Sequence, residues 1–84
     1  MEIKVLGSGC PNCKRLEKVA QQVVSEMAVK ATVTKVTDWD GIMAYDIVST
    51  PGLVINEKVV SSGRIPSRAE VTTWVVNALV EEEG

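Results

Sequence analysis

The motif Cys10-Pro11-Asn12-Cys13 stands between two different hydrophobic periodicities, and that junction restricts the fold more than anything else in the 84 residues. Before it, Ile3, Val5 and Leu6 form a short apolar run that stops at Gly7-Ser8-Gly9. This is the pattern of a buried strand closed by a glycine turn. After it, Leu16, Ala20, Val23 and Met27 recur at steps of three and four, with Val19 and Val24 beside them. They mark one face of a helix running to about Ala28. Lys14, Arg15, Glu17, Lys18, Gln21, Gln22 and Ser25 take the opposite side. Pro11 falls in the first helical turn, where its fixed φ and missing N–H suit the backbone.

The rest of the chain alternates in the same way. Thr32 to Thr37 is β-branched and predicts a second strand. Asp38 is placed to cap a short helix from Trp39 to about Asp46, weakened by Gly41. Ser49-Thr50-Pro51-Gly52 breaks the pattern. Leu53 to Ile55 is a third strand, Asn56-Glu57 a two-residue connection, and Lys58 to Ser62 a fourth. Ser67 and Glu70 form a capping box at the start of a last helix. Its apolar face is Val71, Trp74, Val75, Ala78 and Leu79. Glu81, Glu82, Glu83 and Gly84 oppose the helix dipole and are expected to fray. The order β-α-β-α-β-β-α implies an α/β fold. A parallel βαβ unit is followed by a hairpin and a closing helix, with helices on both faces of a central sheet. The length has room for one domain, residues 1–84.

Composition removes several functions. A net charge of −2 offers no electrostatic basis for binding nucleic acid or an anionic membrane. With no histidine, His-based catalysis and Cys₂His₂ zinc sites are excluded. There is no basic start with a long apolar run, and no stretch of about 18 apolar residues, so neither a signal peptide nor a membrane span is expected. The expected compartment is the cytoplasm. There a close cysteine pair is reduced at rest, and is catalytic or metal-binding rather than structural.

The position of the pair separates those two uses. Cys10 falls at the N-cap of the first helix, where unpaired N–H groups and the dipole favour its thiolate. Cys13 shares the apolar face with Leu16 and Ala20 and is expected to be the more buried sulfur. An exposed attacker and a shielded resolver suit thiol–disulfide exchange. Thr50-Pro51 begins the third strand, a place where proline is tolerated. Were its peptide bond cis, Thr50 would offer backbone groups to an extended peptide.

The strand, Gly7-Ser8-Gly9, Cys10-Pro11-Asn12-Cys13 and helix, then Ser49-Thr50-Pro51-Gly52-Leu53-Val54-Ile55-Asn56 and a strand ending at Gly63, resemble the thioredoxin-like superfamily. More narrowly they resemble its small thioredoxin/glutaredoxin-like redox-active disulfide proteins. The resemblance covers essentially the whole chain. Thioredoxins proper usually carry Trp-Cys-Gly-Pro-Cys, where this chain has Gly9 before Cys10 and Pro11-Asn12 between the cysteines.

That resemblance implies a four-stranded mixed sheet of order 2-1-3-4 and a cis Thr50-Pro51 bond facing the dithiol. It implies Cys10 as nucleophile and Cys13 as resolving thiol. Thr50, Pro51, Pro11 and Asn12 are then the substrate-binding residues. The expected activity is that of a small dithiol–disulfide oxidoreductase whose only redox group is its own cysteine pair, with no cofactor and no metal. Its expected partners are disulfide-containing proteins and an upstream reductase, and nothing in the sequence demands a dimer.

The alternative is a thiol-based copper carrier, since two soft thiolates suit Cu(I). Such domains carry Met two residues before the first cysteine, where this chain has Ser8, and follow a β-α-β-β-α-β order. Among the remaining residues, Trp39 and Trp74 are expected in the core. Arg64 is expected to be a solvated loop residue, and Asp38, Asp40 and Asp46 to be caps and surface charge.

Overall fold

The structure is a computed structural model and describes residues 1–47 and 49–83. Strand β1 (Glu2–Leu6) leads into helix α1 (Pro11–Met27), then β2 (Thr32–Val36), α2 (Trp39–Met43), β3 (Gly52–Ile55), β4 (Lys58–Ser62) and α3 (Arg68–Glu83). The strands form one sheet of order β2-β1-β3-β4. β1 runs parallel to β2 and antiparallel to β3, and β3 and β4 close an antiparallel hairpin. None of the helices described is long and apolar enough to cross a membrane.

Alternation along β1 and β3 divides the core between two faces. Ile3, Val5, Leu53 and Ile55 pack under α1 and α3 with Leu16, Ala20, Val23, Val71 and Val75. Leu6 and Val54 face the other way and meet Ile42 of α2 and Ile47. Trp74 lies partly buried against the larger cluster, the packing its place in the apolar stripe predicts. Lys4 shares the second face. Its ammonium donates to Tyr45 Oη (2.8 Å) and Glu57 Oε1 (2.7 Å), and Glu2 Oε1 lies 3.1 Å away.

The helix starts follow their side chains. Asp38 Oδ2 accepts from Gly41 N (2.7 Å) at the head of α2. At α3, Ser67 Oγ accepts from Glu70 N and Glu70 Oε1 accepts from Ser67 N, each at 3.1 Å, a complete capping box. Both residues of the hairpin turn, Asn56 (φ 49°) and Glu57 (φ 69°), are left-handed, as a type I′ turn requires. Glu57 tolerates this with its carboxylate held by Lys4 and Tyr45.

Two expectations are corrected here. α2 stops at Met43, short of Asp46, because Asp46 is left-handed (φ 56°) and cannot continue a helix. The acidic end is helical as far as Glu83, where the dipole predicts an earlier end. Cations offset the dipole: Lys58 Nζ lies 3.0 Å from Glu81 Oε2, and the N-terminal ammonium 3.6 Å from Glu82 Oε1. Gly84 lies outside the described residues.

Candidate active site

β1 delivers the chain to the C-terminal edge of the sheet, and Pro11 starts α1 at once. Cys10 is the N-cap, extended at φ −66° and ψ 159°, and its Sγ accepts from Cys13 N at 3.1 Å. The cap geometry brings the two sulfurs together, and Cys10 and Cys13 are joined by a disulfide, their Cα atoms 5.0 Å apart. Cys10 is partly exposed. Cys13 is buried, only 5% exposed, on the face of α1 that carries Leu16 and Ala20. Pro11 and Asn12 are exposed at the rim.

Gly7 makes the burial of Cys13 possible. A Cβ there would collide with Cys13 Sγ and come within 3.9 Å of Thr50 Cβ. The buried sulfur and the Thr50 side chain therefore both lie close to the same bare patch of backbone. The Thr50–Pro51 peptide is cis. Pro51 is buried and its carbonyl accepts from Gly63 N at 2.9 Å. Gly63 is left-handed (φ 77°), and the Ser49 hydroxyl occupies the space a Cβ would need there. Those contacts fix the loop that carries Thr50. Thr50 itself is exposed, and among the described residues nothing bonds to its N–H or C=O.

The six residues singled out in the sequence thus lie at one end of the sheet. Lys14 is exposed on α1 one residue after Cys13, with no carboxylate within salt-bridge distance among the described residues. One other residue stands elsewhere than expected. Trp39 is 72% exposed and not in the core, because it opens α2 on the side turned away from the sheet and only Ile42 of that helix is buried. Arg64 is an exposed loop residue, as expected, and it also pairs with Glu70. It donates from Nη1 and Nη2 to the two oxygens of Glu70, at 3.1 and 2.7 Å.

Sequence reasoning missed Gly7 as the seat of Cys13, since a close approach leaves no trace in residue type. It also missed a cavity of about 320 Å³ beside Thr50, lined by Trp39, Ile42, Met43, Ile47 and Ser49 as well. The acidic neighbours Asp38 and Asp40 were the signal that Trp39 faces solvent.

Comparison with known proteins adds a family. Residues 1–76 match the model of the thioredoxin domain. The chain is 34% identical over 71 residues to a thioredoxin of Methanothermobacter thermautotrophicus, covering 84% of this chain and 92% of that protein. It is 35% identical over 69 residues to a thioredoxin of Methanocaldococcus jannaschii, covering 82% and 79%. In structure it is similar to thioredoxin 1 of Thermosipho africanus, with a TM-score of 0.61 at 21% identity over the whole of both chains. It is also similar to the germline-specific thioredoxin Deadhead of Drosophila melanogaster, with a TM-score of 0.60 at 17% identity over 90% of this chain and 78% of that one. None of these findings supports the copper-carrier alternative.

Proposed function

The chain belongs to the thioredoxin family and is a thiol–disulfide oxidoreductase, and from that premise we propose that Cys10 is its attacking thiolate and Cys13 its resolving thiol. The single observation that carries the assignment is the asymmetry of the disulfide. Cys10 caps α1 at the surface, and Cys13 lies beneath it against Gly7.

The reduced protein reacts in two displacements. Cys10 S⁻ attacks one sulfur of a partner disulfide, and the other partner sulfur leaves as a thiolate. Cys13 then loses its proton and attacks Cys10 Sγ, expelling the second partner sulfur and closing the Cys10–Cys13 disulfide. Two electrons have passed to the partner. In the reduced protein the N–H groups and the dipole of the first turn favour negative charge at Cys10 Sγ. Its N-cap bond from Cys13 N favours the same charge.

The Thr50 backbone, unpaired among the described residues, offers an extended substrate segment a donor and an acceptor at the redox end of the sheet. Pro51 holds that loop in place, and Pro11 and Asn12 form the opposite rim. The dithiol itself carries the electrons, so the reading requires no cofactor. The working unit is the whole of residues 1–84 as a monomeric domain in the cytoplasm, recharged by a separate reductase.

The deciding experiment is a redox titration of the Cys10–Cys13 pair in graded dithiol/disulfide buffer with a chelator, read by alkylation and intact mass. The expected result is one two-electron step with loss of both thiols, and a Cys13→Ser variant that accumulates a mixed disulfide through Cys10. Thiols that stay alkylatable across the whole range, or a mixed disulfide carried by Cys13 in Cys10→Ser but never by Cys10, would overturn the assignment.

A further inference from the structure

We propose that the solvent face of α1 beside the disulfide, formed by Lys14, Arg15 and Lys18, is a docking surface for a protein partner that carries carboxylates next to its reacting cysteine. The inference rests on the oxidoreductase reading of Cys10 and Cys13 and names a partner class for that site.

The chain is acidic as a whole, with 9 lysines and arginines against 11 aspartates and glutamates. Among the described residues, Lys4, Lys35, Lys58, Arg64 and Arg68 are engaged in salt bridges. The cations left over are Lys14, Arg15 and Lys18, all exposed at the redox end of α1, and Lys30, beyond its far end. Lys14 and Arg15 each lie about one turn from Lys18, so the three share one side of the helix. At a rise of 1.5 Å per residue, Lys14 stands about 6 Å and Lys18 about 12 Å along the axis from Cys10. These distances are comparable with the screening length of about 10 Å at ~0.1 M salt, so both charges are felt by a group reacting at Cys10.

The arrangement costs α1 stability. Like charges four residues apart repel, and cations near a helix N-terminus oppose the macrodipole. No acidic residue stands in the first turn to offset them, and Glu17 pairs with Lys35 of β2 instead, at 3.6 Å. Cations placed where the helix gains least, and where the chemistry takes place, find their counter-charge on a partner. Across the sheet the sign reverses. Asp38 and Asp40 are exposed at the start of α2, and Asp46 just past its end. An acidic partner is repelled on that flank and drawn to α1, which fixes the side from which it reaches Cys10.

The test uses single-turnover reduction of disulfide-linked homodimers of short one-cysteine peptides by the reduced protein, read by acid quench and mass. Dithiol plus peptide disulfide gives protein disulfide plus two peptide thiols. Two glutamates, or two lysines, stand within three residues of the cysteine, on either side in turn. Each rate is divided by that of dithiothreitol on the same peptide, which removes the effect of the flanking charges on the disulfide itself. The expected normalised ratio, glutamate over lysine, is about tenfold at low salt, what two or three exposed ion pairs supply together. It is expected to fall toward one as sodium chloride is added.

Ratios are compared within each variant, so a general change in Cys10 reactivity cancels. Lys18→Glu is expected to lower the ratio severalfold, and Lys14→Glu combined with Lys18→Glu to invert it. Lys30→Glu makes the same change in net charge as Lys18→Glu and is expected to leave the ratio as it was. A wild-type ratio of one or less at every position, a ratio that survives Lys18→Glu, or one that Lys30→Glu lowers equally overturns the docking surface. Wild-type protein is run in parallel on bis(2-hydroxyethyl) disulfide, which is uncharged. If it reduces neither that compound nor any peptide, the oxidoreductase reading falls and the docking surface with it. If it reduces that compound and shows no preference among the peptides, only the docking surface falls.

Discussion

Gly7 sets the geometry of the buried sulfur. Its N–H continues the β1 ladder by donating to Val36 O at 3.0 Å, so the backbone there cannot retreat. Any side chain pushes against Cys13 Sγ. The dithiol form has a freedom the disulfide lacks, since an unbonded Cys13 thiol turns about its own χ1. Gly7→Ala is therefore expected to destabilise the oxidised form more than the reduced one and raise the reduction potential. A rise of about 30 mV corresponds to 1.4 kcal/mol for this two-electron couple. The check is the midpoint of the same redox titration together with the thermal midpoints of both redox forms. An unchanged potential in a folded variant would show that the sulfur has room the structure denies it. The sequence marks Cys10 and Cys13 plainly, because chemistry resides in residue type. It marks Gly7 only as part of a turn, because what matters there is an absent atom and a neighbour from another element.

At the scale of elements, caps were the most legible feature. Asp38, Ser67 with Glu70, and Pro11 with Cys10 all do what their side chains dictate locally. Element ends were less legible wherever the partner is distant in sequence. α2 is cut short by a left-handed Asp46, and α3 is extended by Lys58 and the N-terminal ammonium. The start of α3 shows both kinds of control. Glu70 closes the capping box and also accepts both N–H groups of Arg64. The Arg64 bonds first, and the Ser67 N–H second, lower its carboxyl to about 2.

A carboxyl depressed in the folded state contributes stability above its unfolded value, near 4.5, and loses that contribution as pH falls toward about 2. The thermal midpoint is accordingly expected to drop across that interval, and Arg64→Ala to return the Glu70 titration toward the ordinary carboxylate range. Side-chain NMR of Glu70 against pH reads both. A Glu70 that titrates normally in the unmodified protein would mean that solvent has dissolved the Arg64 pair.

For the whole molecule, periodicity places helices on both faces of the sheet, the family resemblance implies the strand order 2-1-3-4, and the division of the core follows from the two together. β1 and β3 each contribute to both clusters, Ile3, Val5, Leu53 and Ile55 on one side and Leu6 and Val54 on the other. The α2 cluster is small and forms the floor beneath the redox end of the sheet, so it has no means of folding apart from the strands it shares. Loss of packing on either face is then loss of both.

Leu16, fully buried on the sheet-facing side of α1, and Leu6, fully buried on the α2 side, test this from opposite faces. Each change to Ala is expected to cost about 2–5 kcal/mol, a large part of what a chain of this length has. In each variant, made on a Trp39→Phe background so that emission comes from Trp74 alone, Trp74 fluorescence, which reports the α3 face, and far-UV circular dichroism, which reports the whole chain, are expected to share one urea midpoint. A Leu6→Ala transition in which α2-side structure melts while Trp74 stays buried would divide the sheet into two units. The cavity, the Thr50 loop and the disulfide would then rest on the weaker one.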